Sequence, residues 1–140
     1  MYIKAKCVKG ETYMSNVKFC SIIIKDDFNN ILISKRKGKK ADEHLWYVFE
    51  RKIKGRETPE KCANRAIKED LKTIVFDLNQ LCDLNVNEEE TLRVFTGSLK
   101  EKITCGANIT TYKWINKDDL DDYTFANGEL EKINAFFDAI

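Results

Sequence analysis

The chain has a single histidine, a single proline and no Cys-x-x-Cys pair. One histidine cannot build a His-based triad or a histidine zinc site. That residue, His44, lies in the polar stretch "GKKADEH" and reads as an exposed loop residue. The five cysteines, at 7, 20, 62, 82 and 105, are odd in number and never closer than thirteen residues. This spacing excludes CxxC metal or redox pairs and argues against a disulfide framework. Cys20 sits in an apolar run and Cys62 on a helix, so both read as reduced, buried thiols. A reducing cytoplasm is the simplest setting for them. Long hydrophobic runs are missing too. The largest, "FCSIII", is far too short to span a bilayer. The N-terminus carries neither the apolar segment nor the cleavage-like site of a secretory signal. The expectation is a protein that is neither secreted nor transmembrane. An excess of one charge is also absent: 24 basic residues face 23 acidic ones, a formal net charge of +1. Global charge therefore argues against nucleic acid as a partner and points to no membrane. Any electrostatic function must come from local clustering.

What is present suits one ordinary globular domain. The 140 residues are enough to bury a core, and 43% hydrophobic with 34% charged residues is the usual globular balance. No Pro/Gly/Ser-rich linker, repeat or low-complexity tract divides the chain. Residues 1–16 read as an N-terminal strand or extension. "VKFCSIIIK" (17–25) reads as a buried strand, "DDFNN" as a turn and "ILISKRK" (31–37) as a returning strand, so the three predict a hairpin. "LWYVFE" reads as a short aromatic strand.

A helix follows. Thr58 is a good N-cap, Pro59 falls at the first helical position, and Glu60 adds negative charge at the positive end. Ala63, Ile67 and Leu71, with Cys62 and Ala66 alongside, form the buried stripe, leaving Arg65, Lys68, Glu69 and Lys72 on other faces. "TIVFDLNQLCDLNV" reads as a strand with a loop or second short strand. "ETLRVFTGSLK" and "NITTYKWIN" read as a strand pair around the turn "EKITCGA", with Trp114 in the core. A C-terminal helix over 128–140 has Ile133, Phe136, Phe137 and Ile140 on its apolar face. Strands before and after a central helix make the class mixed α and β.

Chemistry concentrates in "FERKIKGRETPEKCANRAIKEDLKT" (49–73). An acid, Glu57, precedes the Thr-Pro helix start, Arg65 follows eight residues later, and Glu69-Asp70 form an acidic pair on the same helix. Clustered carboxylates are the hard oxygen ligands that Mg²⁺ prefers. Arg65 stands four residues before Glu69, so the two can pair on one helix face. Basic stretches "SKRKGKK" (35–40) and "RKIKGR" (51–56) flank the aromatic strand and could form a positive rim for phosphates. Trp46, Tyr47 and Phe49 alternate across that strand, and one face could stack a flat group.

This segment resembles the signature of the Nudix, or MutT-like, hydrolase family, and the order of elements around it is similar from about residue 17 to the end. Glu57 matches the first acid of the signature, Arg65 its arginine, Ile67 its aliphatic position, and Glu69 and Asp70 its closing acidic pair. "YKWINKDDL" and "ANGELEKINAFF" resemble the family's approach to its last helix and the helix itself. The departures are specific. Ala66 stands where the family has the first glutamate of its helix triad, and Lys72 replaces the late glycine. "FERKIKGRE" is one residue shorter than the family's loop and lacks both its glycines, so the motif is degenerate.

The resemblance implies an α+β fold, a Nudix-like α/β/α sandwich with a mixed sheet, over a single domain of residues 1–140. It implies a hydrolase that cleaves the pyrophosphate bond of a nucleoside diphosphate linked to another group, in the cytoplasm that the cysteines suggest. Mg²⁺ or Mn²⁺ would be held by Glu57, Glu69 and Asp70, and Arg65 would orient an acid. Catalytic residues would be Glu69, Asp70 and Arg65; Lys35, Arg36, Lys52 and Trp46 would contact the phosphates or substrate. Glu101, in the later turn, could supply a carboxylate from outside the motif. Arg51 and Lys52 would serve through their carbonyls where the family has glycines. The partner is a small nucleotide or pyrophosphate substrate, with a homodimer left open. The alternative is a catalytically impaired Nudix-fold module that binds a nucleotide or phosphorylated ligand, which Ala66, the missing glycines and the deletion favour. An RNA-end-binding protein would use the same rim, against the near-zero net charge.

Overall fold

The computed structural model describes residues 17–140; the expected N-terminal strand or extension and Cys7 lie outside them. Six strands and two helices run in the order β1 (Val17–Ile24), β2 (Ile31–Arg36), β3 (Phe49–Lys52), α1 (Pro59–Leu71), β4 (Val75–Asn85), β5 (Thr91–Leu99), β6 (Ile109–Ile115) and α2 (Glu129–Ala139). Short 3-10 turns occupy Lys40–Asp42 and Lys117–Asp122. Strands β3-β1-β5-β4 form one sheet and β2-β6 a second. The β1–β5 pair is parallel and the other pairs are antiparallel, so the larger sheet is mixed, as expected.

The expected hairpin between 17–25 and 31–37 is corrected. β1 and β2 belong to different sheets and share only the Lys25↔Ile31 bridge. The reason lies in β1 itself. Cys20, Ile22 and Ile24 face the core beneath α1, while Ile23 faces the core beneath α2. A strand apolar on both faces belongs at the centre of a covered sheet, beside a parallel neighbour. The Asp26 carboxylate ties the turn by accepting from the backbone N–H of Phe28 and Asn30.

The expected β5–β6 pair is corrected for the same reason: β5 lies between β1 and β4, and β6 pairs with β2. Residues 75–85 form one strand rather than two, with an irregularity at Asp77, whose φ is 54°. Trp114 is 38% exposed and Ile140 is 62% exposed, so neither belongs to the core. β6 is an edge strand in the described residues, and Ile140 falls one residue past the helix.

The two helices cover opposite sides. Cys62, Ala63, Ala66, Ile67 and Leu71 of α1 pack with Cys20, Ile22, Leu32, Phe49 and Phe95. Ile133, Phe136 and Phe137 of α2 pack with Ile23, Ile33, Leu84 and Val94. The helix start is built as its residues dictate: the Thr58 hydroxyl accepts from Lys61 N at 3.1 Å, with Pro59 at the first position. Its end is pinned by a close approach. Gly106 N donates to Asp70 O at 2.7 Å, and a Cβ on Gly106 would lie 1.9 Å from Glu69 O. Lys72 closes the helix in the left-handed conformation, with φ 55°. No helix among the described residues is long and apolar enough to cross a membrane.

Candidate functional site

The site begins with alternation along β3. Its ladder with β1 sets Ser21 opposite Glu50 and Cys20 opposite Arg51. Successive side chains of a strand point to opposite faces. Phe49 and Arg51 therefore turn towards α1, and Glu50 turns towards α2, where it meets Lys132.

On the α1 side, Arg51 reaches the acidic pair. Its Nε donates to Glu69 Oε1 at 3.1 Å, Nη1 to Asp70 Oδ2 at 3.1 Å, and Nη2 to Asp70 Oδ1. Nη1 also donates to the Glu50 carbonyl at 2.8 Å. A second fork lies beside it. Arg65 Nε donates to Glu57 Oε2 at 2.9 Å and Nη2 to Glu57 Oε1 at 3.1 Å. Arg65 Nη2 also donates to the Lys52 carbonyl at 2.9 Å, and Nη1 reaches Glu69 at 3.4 Å. The five groups form one chain of alternating sign: Glu57, Arg65, Glu69, Arg51, Asp70.

The ionisation of these groups follows from the pairing. The Arg65 fork holds the Glu57 carboxyl down to about 2, helped by the Lys54 N–H. Partial burial works against ionisation of Glu69, but hydrogen bonding and charge from Arg51 outweigh it and leave that carboxyl below its usual range. Burial likewise opposes the charge on Arg51, and Asp70 more than offsets it. Asp70 itself is buried, so its negative charge is compensated inside the protein rather than by water.

These residues do not fit a resident divalent cation. Mg²⁺ takes near-octahedral oxygen ligands at about 2.0–2.1 Å. Here both Asp70 oxygens and one Glu69 oxygen accept from N–H groups, and Glu57 is forked onto Arg65. One turn before Asp70 stands the buried methyl of Ala66. Among the described residues no three acids, histidines or cysteines are gathered so as to hold a metal. The guanidinium of Arg51 is the cation that bridges the two acids.

The other expected residues scatter. Lys35 lies over the Trp46 ring at 5.0 Å, and Trp46 packs edge-on against Tyr123. Arg36 lies over Tyr47 at 4.4 Å and lines a cavity of about 200 Å³ with Phe19, Glu50, Asn127 and Glu129. Lys52 opens instead onto a second cavity, of about 590 Å³, with Lys18, Arg56 and Thr58. Glu101 is exposed, two residues past the end of β5. The structure thus brings together Glu57, Arg65, Glu69 and Asp70, and places Arg36 apart from Lys52.

Two features escape sequence reasoning. Arg51 contributes its side chain, for which the signal is its odd-even relation to Phe49. Beneath the first cavity, buried Lys132 joins Glu50 at 2.6 Å and Glu129 at 2.7 Å, and Glu129 accepts from Val48 N at 3.0 Å. Burial raises the Glu129 carboxyl, against the pull of Lys132. The signal there is the i, i+3 spacing of an acid and a lysine on the inner side of α2.

No family model and no curated protein matches this chain. Solved structures do. A MutT structure reported for Aliivibrio salmonicida and Vibrio cholerae is 15% identical, with a TM-score of 0.72 over 86% of this chain and 97% of the other. The NUDIX domain of Shewanella oneidensis NrtR, solved with ADP ribose, is 15% identical, with a TM-score of 0.72 over 94% and 93%. The E. coli dihydroneopterin triphosphate pyrophosphohydrolase is 15% identical, with a TM-score of 0.61 over 93% and 100%. At such identities the likeness is one of fold.

Proposed function

We propose that this chain, which has the Nudix fold, binds a nucleotide or related phosphorylated ligand with little or no turnover. The observation that carries this reading is the Arg51 guanidinium between Glu69 and Asp70. A pyrophosphate is densely anionic and repels an attacking water, so hydrolysis needs a strong local positive charge. The chain of three acids and two arginines satisfies itself and offers no spare cation. Recognition needs less. In the first cavity Arg36 supplies a charge braced on Tyr47, and Glu50 and Asn127 supply polar groups for a flat polar ligand. Lys52 and Arg56 supply positive charge beside the second cavity. The ADP ribose held by the NrtR domain makes that ligand the first probe to try. A reducing cytoplasm is the setting we propose, with Cys20, Cys62 and Cys105 as thiols.

A second reading, metal-dependent hydrolysis with Mg²⁺ or Mn²⁺ on Glu57, Glu69 and Asp70, draws on one observation. The Glu69 side chain is 47% exposed and open to solvent. That reading requires Arg51 to leave Asp70.

The test measures binding of ADP ribose and a panel of nucleoside diphosphate derivatives in Mg²⁺ and in EDTA, with phosphate release followed in parallel. Our reading expects a bound ligand whose affinity is unchanged in EDTA, falls at least tenfold in Arg36→Ala, and is accompanied by no release. Metal-dependent release by the wild type that vanishes in Glu69→Gln would establish the hydrolase instead.

A further inference from the structure

Cys20 on β1 and Cys62 on α1 are both fully buried in the core beneath α1, with their sulfurs 2.8 Å apart. They are 42 residues apart in sequence and belong to different elements, so the contact is made by the fold. Cys62 touches the acid chain as well. Its Sγ lies 3.7 Å from the Arg51 carbonyl oxygen and accepts from Arg65 Nη2 at 3.8 Å. A disulfide bond is about 2.0 Å long. The two sulfurs therefore need to close by less than about 1 Å. The other described cysteines are placed differently: Cys82 lies in the core beneath α2, and Cys105 is exposed.

We propose that Cys20 and Cys62 are an oxidation site, at which a peroxide converts two thiols into an internal disulfide linking β1 to α1 beneath the acid chain. The oxidant is hydrogen peroxide, a molecule little larger than water. One thiol takes an oxygen from the peroxide to become a sulfenic acid, and the first water leaves. The second sulfur attacks the first, the S–O bond breaks, and a second water carries away the hydroxyl and the remaining thiol proton. Two thiols are oxidised and one peroxide is reduced to two waters. Access comes through the first turn of α1. Cys62 stands there behind Glu57 and Arg65, whose side chains are 17% and 20% exposed. Helix ends open locally at small free-energy cost compared with global unfolding. The Cys62 sulfur accepts from Arg65 Nη2, so forming the bond disturbs a direct neighbour of the Glu57–Arg65 fork. None of this depends on which ligand the cavities hold.

The test reduces the full chain, removes the reductant and adds dilute hydrogen peroxide under native conditions. The expected result is a species lighter by two hydrogens, with a peptide map linking Cys20 to Cys62. Its thermal midpoint should lie several degrees above that of the reduced protein, and dithiothreitol should reverse both changes. Cys62→Ser and Cys20→Ser should each abolish the internal link, and the wild-type map stands even if a variant folds poorly. Retention of both thiols while Cys105 becomes oxidised would overturn the proposal. So would a link that forms only in urea.

Discussion

Arg51 donates from both terminal nitrogens to the two oxygens of Asp70, a carboxylate that is only 1% exposed. A buried acid held by a bidentate guanidinium has its counter-ion built into the chain. The rest of the site follows from this pair. Asp70 is committed, Glu69 is shared between two arginines, and Glu57 is left to Arg65 alone.

Removal of Arg51 should therefore leave a buried charge without a partner. Arg51→Ala is expected to lose about 3–5 kcal/mol in urea denaturation, the usual effect of breaking one side of a buried pair. Adding Asp70→Asn to that variant should recover a large part of the loss. An Arg51→Ala protein as stable as the wild type would show that Asp70 is solvated.

Acid should weaken the fold through the same chain. Glu57 is held down to about 2 from an ordinary value of 4.5, and Glu69 is also lowered. A folded-state value below the unfolded one gives stability that is present above the unfolded value and lost as pH falls through the folded one. For Glu57 the window runs from about 4.5 down to about 2. Urea midpoints measured downward from pH 7 should drop most steeply below pH 4.5, and Glu57→Gln should flatten that drop.

Much of this local frame was legible in the sequence. Thr58, Pro59 and the Ala63/Ile67/Leu71 stripe state the helix, its start and its inner face, because capping and periodicity are local. Arg65 and Glu69 meet as their i, i+4 spacing on that helix allows. Strand pairing was not legible from β1 alone: apolar residues on both faces mark a covered central strand but do not say which strands lie beside it. Arg51 was not legible either. Its direction follows from alternation with Phe49 along β3, but its contact with Asp70 depends on how β3 and α1 pack, which no local pattern encodes.

Gly106 should prove intolerant. A Cβ there would lie 1.9 Å from the Glu69 carbonyl, a backbone atom that moves only if the end of α1 moves. Gly106→Ala is expected to destabilise by roughly 1–3 kcal/mol, as overpacking does. It should also shift the amide resonances of Glu69 and Asp70. An unperturbed Gly106→Ala spectrum would contradict the close approach.

Lys72 offers the opposite test. It holds the left-handed C-cap conformation, at φ 55°, that glycine adopts without strain. Lys72→Gly should raise stability by about 1 kcal/mol, read as a higher urea midpoint at unchanged slope. A loss of stability would mean that the Lys72 side chain contributes contacts worth more than the backbone strain.

The claim that Arg51 stands in for a metal is tested most directly by titrating Mn²⁺ into metal-free protein, with free Mn²⁺ followed by electron paramagnetic resonance. The wild type is compared with Arg51→Gly/Ala66→Glu, which removes the guanidinium and returns an acid one turn before Asp70. The account predicts that the wild type leaves millimolar Mn²⁺ free, that Ala66→Glu alone still takes up none and loses stability because its carboxylate lands at a buried helix position, and that the double variant takes up the ion and melts higher in its presence. Stoichiometric Mn²⁺ binding by the wild type, lost in Glu69→Gln, would contradict it and place the metal where this account places Arg51.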